Sequence, residues 1–100
     1  MTEYLIATSV LEAIVRGSLE HDPRVRLHSA IPLVRSHPVE VTVEDDRCSV
    51  TVQLEVRMGE VLPALAAEVR QQITGALSPM TGLAVSGVDV VFVGVFPSTT

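Results

Sequence analysis

One hundred residues, 47% of them apolar, suffice for one domain with a genuine core but not for two. The formal net charge of −5 argues against a general nucleic-acid binder, which must neutralise phosphates. All seven cations are arginine, so Schiff-base chemistry and the phosphate-binding lysine of a P-loop are excluded as well.

In chain order, a short strand is expected over Glu3 to Ala7, without the charged-then-apolar pattern of a signal peptide. Ser9, followed three residues later by Glu12, reads as a capping box, because a serine hydroxyl and a glutamate can satisfy the first orphan N–H groups of a helix. Val10, Leu11, Ile14, Val15 and Leu19 recur at helical spacing, which predicts a helix over about 9–21, closed by Pro23. From Pro23 to Pro38 no period is clean, although Val25 and Leu27 alternate with Arg24, Arg26 and His28 in a short extended piece at Val25 to Ala30.

The centre reads clearly. Val39, Val41 and Val43 alternate with polar residues, as do Val50, Val52, Leu54 and Val56, around the turn Asp45-Asp46-Arg47. Two period-2 runs about a short polar turn predict an antiparallel hairpin. Gly59 closes it. A second helix follows, with Pro63 in its first turn and an apolar stripe of Leu62, Leu65, Ala66, Val69, Ile73 and Leu77. Pro79 is expected to end or kink that helix, and Gly82 to turn the chain into a last strand at about Leu83 to Phe96.

The last strand is apolar on both parities: Val88, Val90, Phe92 and Phe96 on one, Val85, Val91, Val93 and Val95 on the other. Such a pattern belongs to a strand covered on both sides. The expected fold is therefore a two-layer α+β domain over residues 1–100, of order (β)αββαβ, with a three- to four-stranded mixed sheet, both helices on one face and a polar tail at 97–100. One layer of helices covers one face, which leaves Val91, Val93 and Val95 as candidate partner-binding residues for self-association or strand addition.

The search for chemistry finds no site. His21, His28 and His37 lack metal-ligand spacing, and no cofactor motif is present. Cys48 is the sole cysteine, which rules out an intrachain disulfide, and it reads as a small semi-buried residue at the start of a strand. No serine sits in a nucleophile elbow, and Asp45 and Asp46 are explained by the turn they make. Between Pro23 and Val39 stand Arg24, Arg26 and Arg35 with no acid among them. A solvated loop accounts for them; the alternative is a basic patch over 24–37 for an acidic partner, RNA or a small ligand. No aromatic stacking platform accompanies it. No apolar run approaches the roughly 20 residues that span a bilayer, so direct membrane insertion is not expected.

As an ordered set, the valine hairpin, Gly59, Pro63, the helix carrying Val69 and Ile73, the turn Met80-Thr81-Gly82-Leu83 and the run Val88-Asp89-Val90-Val91-Phe92-Val93 resemble the alkaline-shock, envelope-stress-response family of small bacterial proteins. The resemblance covers about residues 39–95. The first half departs from it: members usually carry a Gly-Val element after the first helix, where Leu19 to Val25 here reads Leu-Glu-His-Asp-Pro-Arg-Val, and Pro79 stands just before the turn. The resemblance implies a non-enzymatic cytoplasmic protein of cell-envelope homeostasis with no catalytic residues. It also implies that the chain assembles with itself as a homo-oligomer or is recruited to the membrane periphery by a small membrane-anchored protein.

Overall fold

The computed structural model of the chain describes residues 6–28 and 38–98. Its elements run α1 (Thr8–Leu19), β1 (Val25–Leu27), β2 (Val39–Glu44), β3 (Arg47–Arg57), α2 (Leu62–Thr81) and β4 (Ala84–Phe96). The strand expected at Glu3 to Ala7 lies outside the described residues up to position 5, and Ile6 and Ala7 are not extended in a sheet. The additional strand is β1 instead, within the piece read as Val25 to Ala30, whose last two residues lie outside the described ones.

β3 is the axis of the sheet. Along one side it pairs in parallel with β4. Along the other it pairs antiparallel first with β2, from Arg47 to Val52, and then with β1, from Leu54 to Val56. The β2–β3 hairpin closes on Glu44 and Arg47, with Asp45 taking the left-handed φ of 56° that a two-residue turn demands and that aspartate tolerates. α1 packs over β1 and β2, α2 packs over β4, and the helices touch one another, so both occupy one face. Leu11, Val15 and Leu19 of α1 and Leu65, Val69, Ile73 and Leu77 of α2 meet Val39, Val41, Cys48, Val50, Val52, Leu54, Val56 and Val88 in a single core. The i, i+4 spacing of both helical sets is what aims them at the sheet.

Two helix ends depart from the sequence reading. α1 begins at Thr8 with Ala7 as its extended N-cap and no side-chain cap, so the box expected at Ser9 and Glu12 does not form. Starting one residue earlier puts Ser9 inside the first turn, where its backbone is already helical and cannot serve as a cap. α2 continues through Pro79 to Thr81. Proline there removes only the bond to the Gly75 carbonyl, and both residues are exposed, so that acceptor is open to solvent. The helix ends at Gly82, left-handed at φ 75°, whose N–H donates to the Ser78 carbonyl. The Thr81 hydroxyl donates to the Leu77 carbonyl and accepts from the Leu83 N–H, which satisfies it where it is buried.

A polar clasp fixes the α1–β1 turn to α2. The Asp22 carboxylate, whose side chain is only 7% exposed, accepts from the Arg24 N–H, Nε and Nη2 and from Gln72 Nε2. Arg24 Nη1 reaches Glu68 on the same helix. The bonds from Arg24, outweighing the opposing cost of burial, hold the Asp22 carboxyl well below the usual carboxylate range. Because its folded-state pKa is depressed below the unfolded value of about 3.9, the stability it contributes is whole above that pH and is lost as pH falls towards the folded pKa. Asp22→Asn is expected to cost about 1–3 kcal/mol at neutral pH, by leaving Arg24 half-paired. It should also shrink the loss of stability between neutral and acid pH, as read from urea midpoints at the two pH values; a loss as steep as in the parent chain would contradict this role for Asp22.

Candidate interaction surface

The sheet face away from the helices carries no element among the described residues. Its β2 and β3 positions are polar, in keeping with contact with water: Glu40, Thr42 and Glu44, then Ser49, Thr51, Gln53, Glu55 and Arg57. β4 breaks this rule. Val91, Val93 and Val95 are 42%, 44% and 60% exposed.

Their arrangement differs from the simple alternation. The register of β4 on β3 shifts twice: Cys48 faces Val85 but Ser49 faces Gly87, and Leu54 faces Phe92 but Glu55 faces Gly94. Ser86 and Val93 are thus the extra residues of two β-bulges, and every side chain beyond a bulge changes face. Val85 lies on the core side beside Cys48. Val88, Val90 and Phe92 follow it there, opposite Val50, Val52 and Leu54. Val91 is on the open face opposite Gln53. After the second bulge Val95 joins the helix side opposite Val56, and Phe96 the open face opposite Arg57. The grouping of Val91, Val93 and Val95 on one face is thereby corrected: they share an edge. A signal for both bulges was present, since Gly87 and Gly94 each follow an extra residue, and a glycine inside a strand pattern marks a bulge.

β4 is also an edge strand, thirteen residues long, with β3 as its only neighbour among the described residues. Its guards are the two bulges and one charge, Asp89; it has no lysine and no proline, and the stretch Val88–Phe92 between the bulges is regular strand. Arg70 of α2 reaches round to donate from Nε to the Val88 carbonyl at 3.1 Å, which shows that Val88 points its main-chain groups away from β3. At the far end the Met58 N–H donates to the Phe96 carbonyl, and Met58, Val61 and Leu62 add exposed apolar surface where β3 leads into α2.

Two arginines of the basic segment are engaged within the chain. Arg24 belongs to the clasp described above. Arg26 projects onto the open face, 3.4 Å from Glu55, with its guanidinium 4.0 Å from the centroid of the Phe96 ring. Arg35 and His37 lie outside the described residues. The structure thus gives Arg24 and Arg26 internal partners and does not bring them to a common exposed patch. His28 Nδ1 stands 3.3 Å from Glu55, and no cluster of three metal-ligating side chains occurs among the described residues. An open concavity of about 840 Å³ beside the hairpin turn is lined by polar groups, Glu44, Asp45, Asp46 and Arg47 among them. Among the described residues no helix is long and apolar enough to cross a membrane.

Cys48 is fully enclosed rather than semi-buried, and its burial pushes the thiol pKa up. It is therefore expected to label with a thiol reagent roughly 100-fold or more slowly in the native chain than in urea, as a group that reacts only on opening does. Equal rates in the two conditions would show that the β3 core is not closed around it.

A model of the alkaline shock protein 23 family, described by its cell envelope-related function, matches residues 34–97. No curated protein matches the chain. Among solved structures, a variant of the MamM CTD in its manganese form superposes with a TM-score of 0.55 at 11% identity, over 88% of this chain and 99% of that one; at this identity the likeness is one of fold.

Proposed function

From the premise that the chain belongs to the alkaline shock protein 23 family, whose function is cell envelope-related, we propose that it is a non-enzymatic, cytoplasmic protein that acts by binding through β4. Its ligands in this reading are further copies of itself and a small membrane-anchored protein that recruits it to the membrane periphery. The observation that carries the reading is the β4 edge: a strand with no neighbour on its outer side among the described residues, and three exposed valines along it. A soluble monomer rarely leaves such an edge open without a partner for it.

Catalysis finds no comparable support. The most perturbed acid, Asp22, is displaced downward by a structural ion pair and away from the range in which it could exchange protons near neutrality.

Cell fractionation under envelope stress, coupled to sedimentation of the purified chain over a wide concentration range, tests the proposal. The chain should sediment with the membrane fraction although it has no spanning helix among its described residues, and should leave it when the membrane is stripped of peripheral proteins. A chain that is wholly in the soluble fraction, and monomeric at every concentration, would overturn the proposal.

A further inference from the structure

The free side of β4 has a specific main-chain code. Val88 points its carbonyl outward to Arg70, and residues two apart along a strand point the same way, so Val90 and Phe92 also present their N–H and C=O groups outward. Asp89 and Val91 direct theirs to β3, and their side chains to the open face. An extended strand satisfies such a row in register, with Val90 and Phe92 offering both an N–H and a C=O.

Charge selects which strand, and in which direction. The open face is acidic at the hairpin end, with Glu44, Asp45 and Asp46, and Asp89 lies on β4 itself. At the opposite end Arg57 faces Phe96 and pairs with Glu60, and Arg26 is stacked over that ring and pairs with Glu55, so this end is close to neutral. Two copies set side by side in the same direction would place acid against acid in a chain that already carries −5. Set antiparallel, the acidic end of each meets the near-neutral end of the other, and the like charges are kept apart.

Resting on the reading that β4 is the binding edge, we infer that β4 pairs antiparallel with β4 of a second copy about a twofold axis at Val91, with Asp89 of each copy directed to Arg26 of the other. In this register Val90 bonds Phe92 of the second copy and Phe92 bonds its Val90, giving four main-chain hydrogen bonds at the centre. Val91 stands directly opposite its own counterpart in a non-bonded pair, where side chains approach most closely. The bulge at Val93 absorbs one residue, so Asp89 lies beside Val93 and Gly94 of the second copy, one diagonal from the Phe96 on which Arg26 is stacked. The Arg70 bond to Val88 caps the row just outside the central bonds. Two four-stranded sheets then become one continuous sheet, and the core sides of the two β4 strands, Val90 against Phe92, close over each other.

The test uses the full chain. Val91→Cys is expected to form a disulfide-linked dimer under mild oxidation, as a cross-strand pair in contact allows, whereas Thr42→Cys, equally on the open face but on β2, should remain monomeric. The enclosed native Cys48 makes the parent chain the background control. Val91→Lys should raise the concentration needed for association about tenfold or more, with an unchanged urea midpoint, because residue 91 is exposed. Association that survives Val91→Lys, with no preference for crosslinking at 91 over 42, would overturn the edge pairing while leaving binding by another surface intact. A chain monomeric throughout that still takes an extended strand of a membrane-anchored protein onto β4 would also overturn it, and would name that protein as the occupant.

Discussion

β3 exchanges main-chain hydrogen bonds on both of its sides, with β4 along one and with β2 and then β1 along the other. All five of its inward side chains, from Cys48 to Val56, are enclosed. The other elements take their places from this. A parallel neighbour requires a crossover, and α2 is the only segment between β3 and β4 long enough to make one. The crossover brings α2 down on one face, and α1 fills the remainder of that face over β1 and β2. A sheet with one helical layer needs one apolar and one polar side. β2 and β3 meet that requirement residue by residue, and β4 does not.

The parts of the fold legible in the sequence were those governed by local period alone. The β2–β3 hairpin and the α2 stripe from Leu65 to Leu77 are undisturbed repeats of two and of 3.6, and the structure keeps them. Less legible were features settled by tertiary contact. Ser9 has the chemistry of a cap, yet the packing of Leu11 and Val15 starts the helix one residue ahead of it. In β4 the run of valines and phenylalanines hides the register, because apolar residues on both parities give the same pattern with or without a bulge. Only Gly87 and Gly94 break it. Arg24 and Arg26 resembled a shared patch because Asp22 stands just before the segment and the other groups that engage them, Glu68, Glu55 and Phe96, are distant in sequence.

The ion pairs show why a cluster of charge is poor evidence of a binding site on its own. Asp22 and Arg24 form a fork of hydrogen bonds, extended to Gln72 and Glu68, that fastens a turn containing Pro23 to the middle of α2. Arg57 is engaged in the same way by Glu60 at the start of the β3–α2 connection. Both sit where the chain leaves a helix or a strand and has no ladder to hold it. They are fastenings of the chain.

The energetics of that edge favour a conditional association over a permanent one. Main-chain bonds contribute about 0.5–1.5 kcal/mol each net of lost hydration. Half-exposed valines add only part of the roughly 1.5–3 kcal/mol that full burial would bring. Association costs at least about 4 kcal/mol in rigid-body freedom. Four central bonds and a few half-covered side chains only modestly exceed that cost, so strand pairing at β4 is weak in dilute solution. Holding copies at a shared surface changes the balance without any new contact, because tethering raises the effective concentration towards the millimolar range. In the proposed reading, an edge that joins free copies weakly joins tethered ones far more readily, so the same contact answers to how closely the copies are gathered.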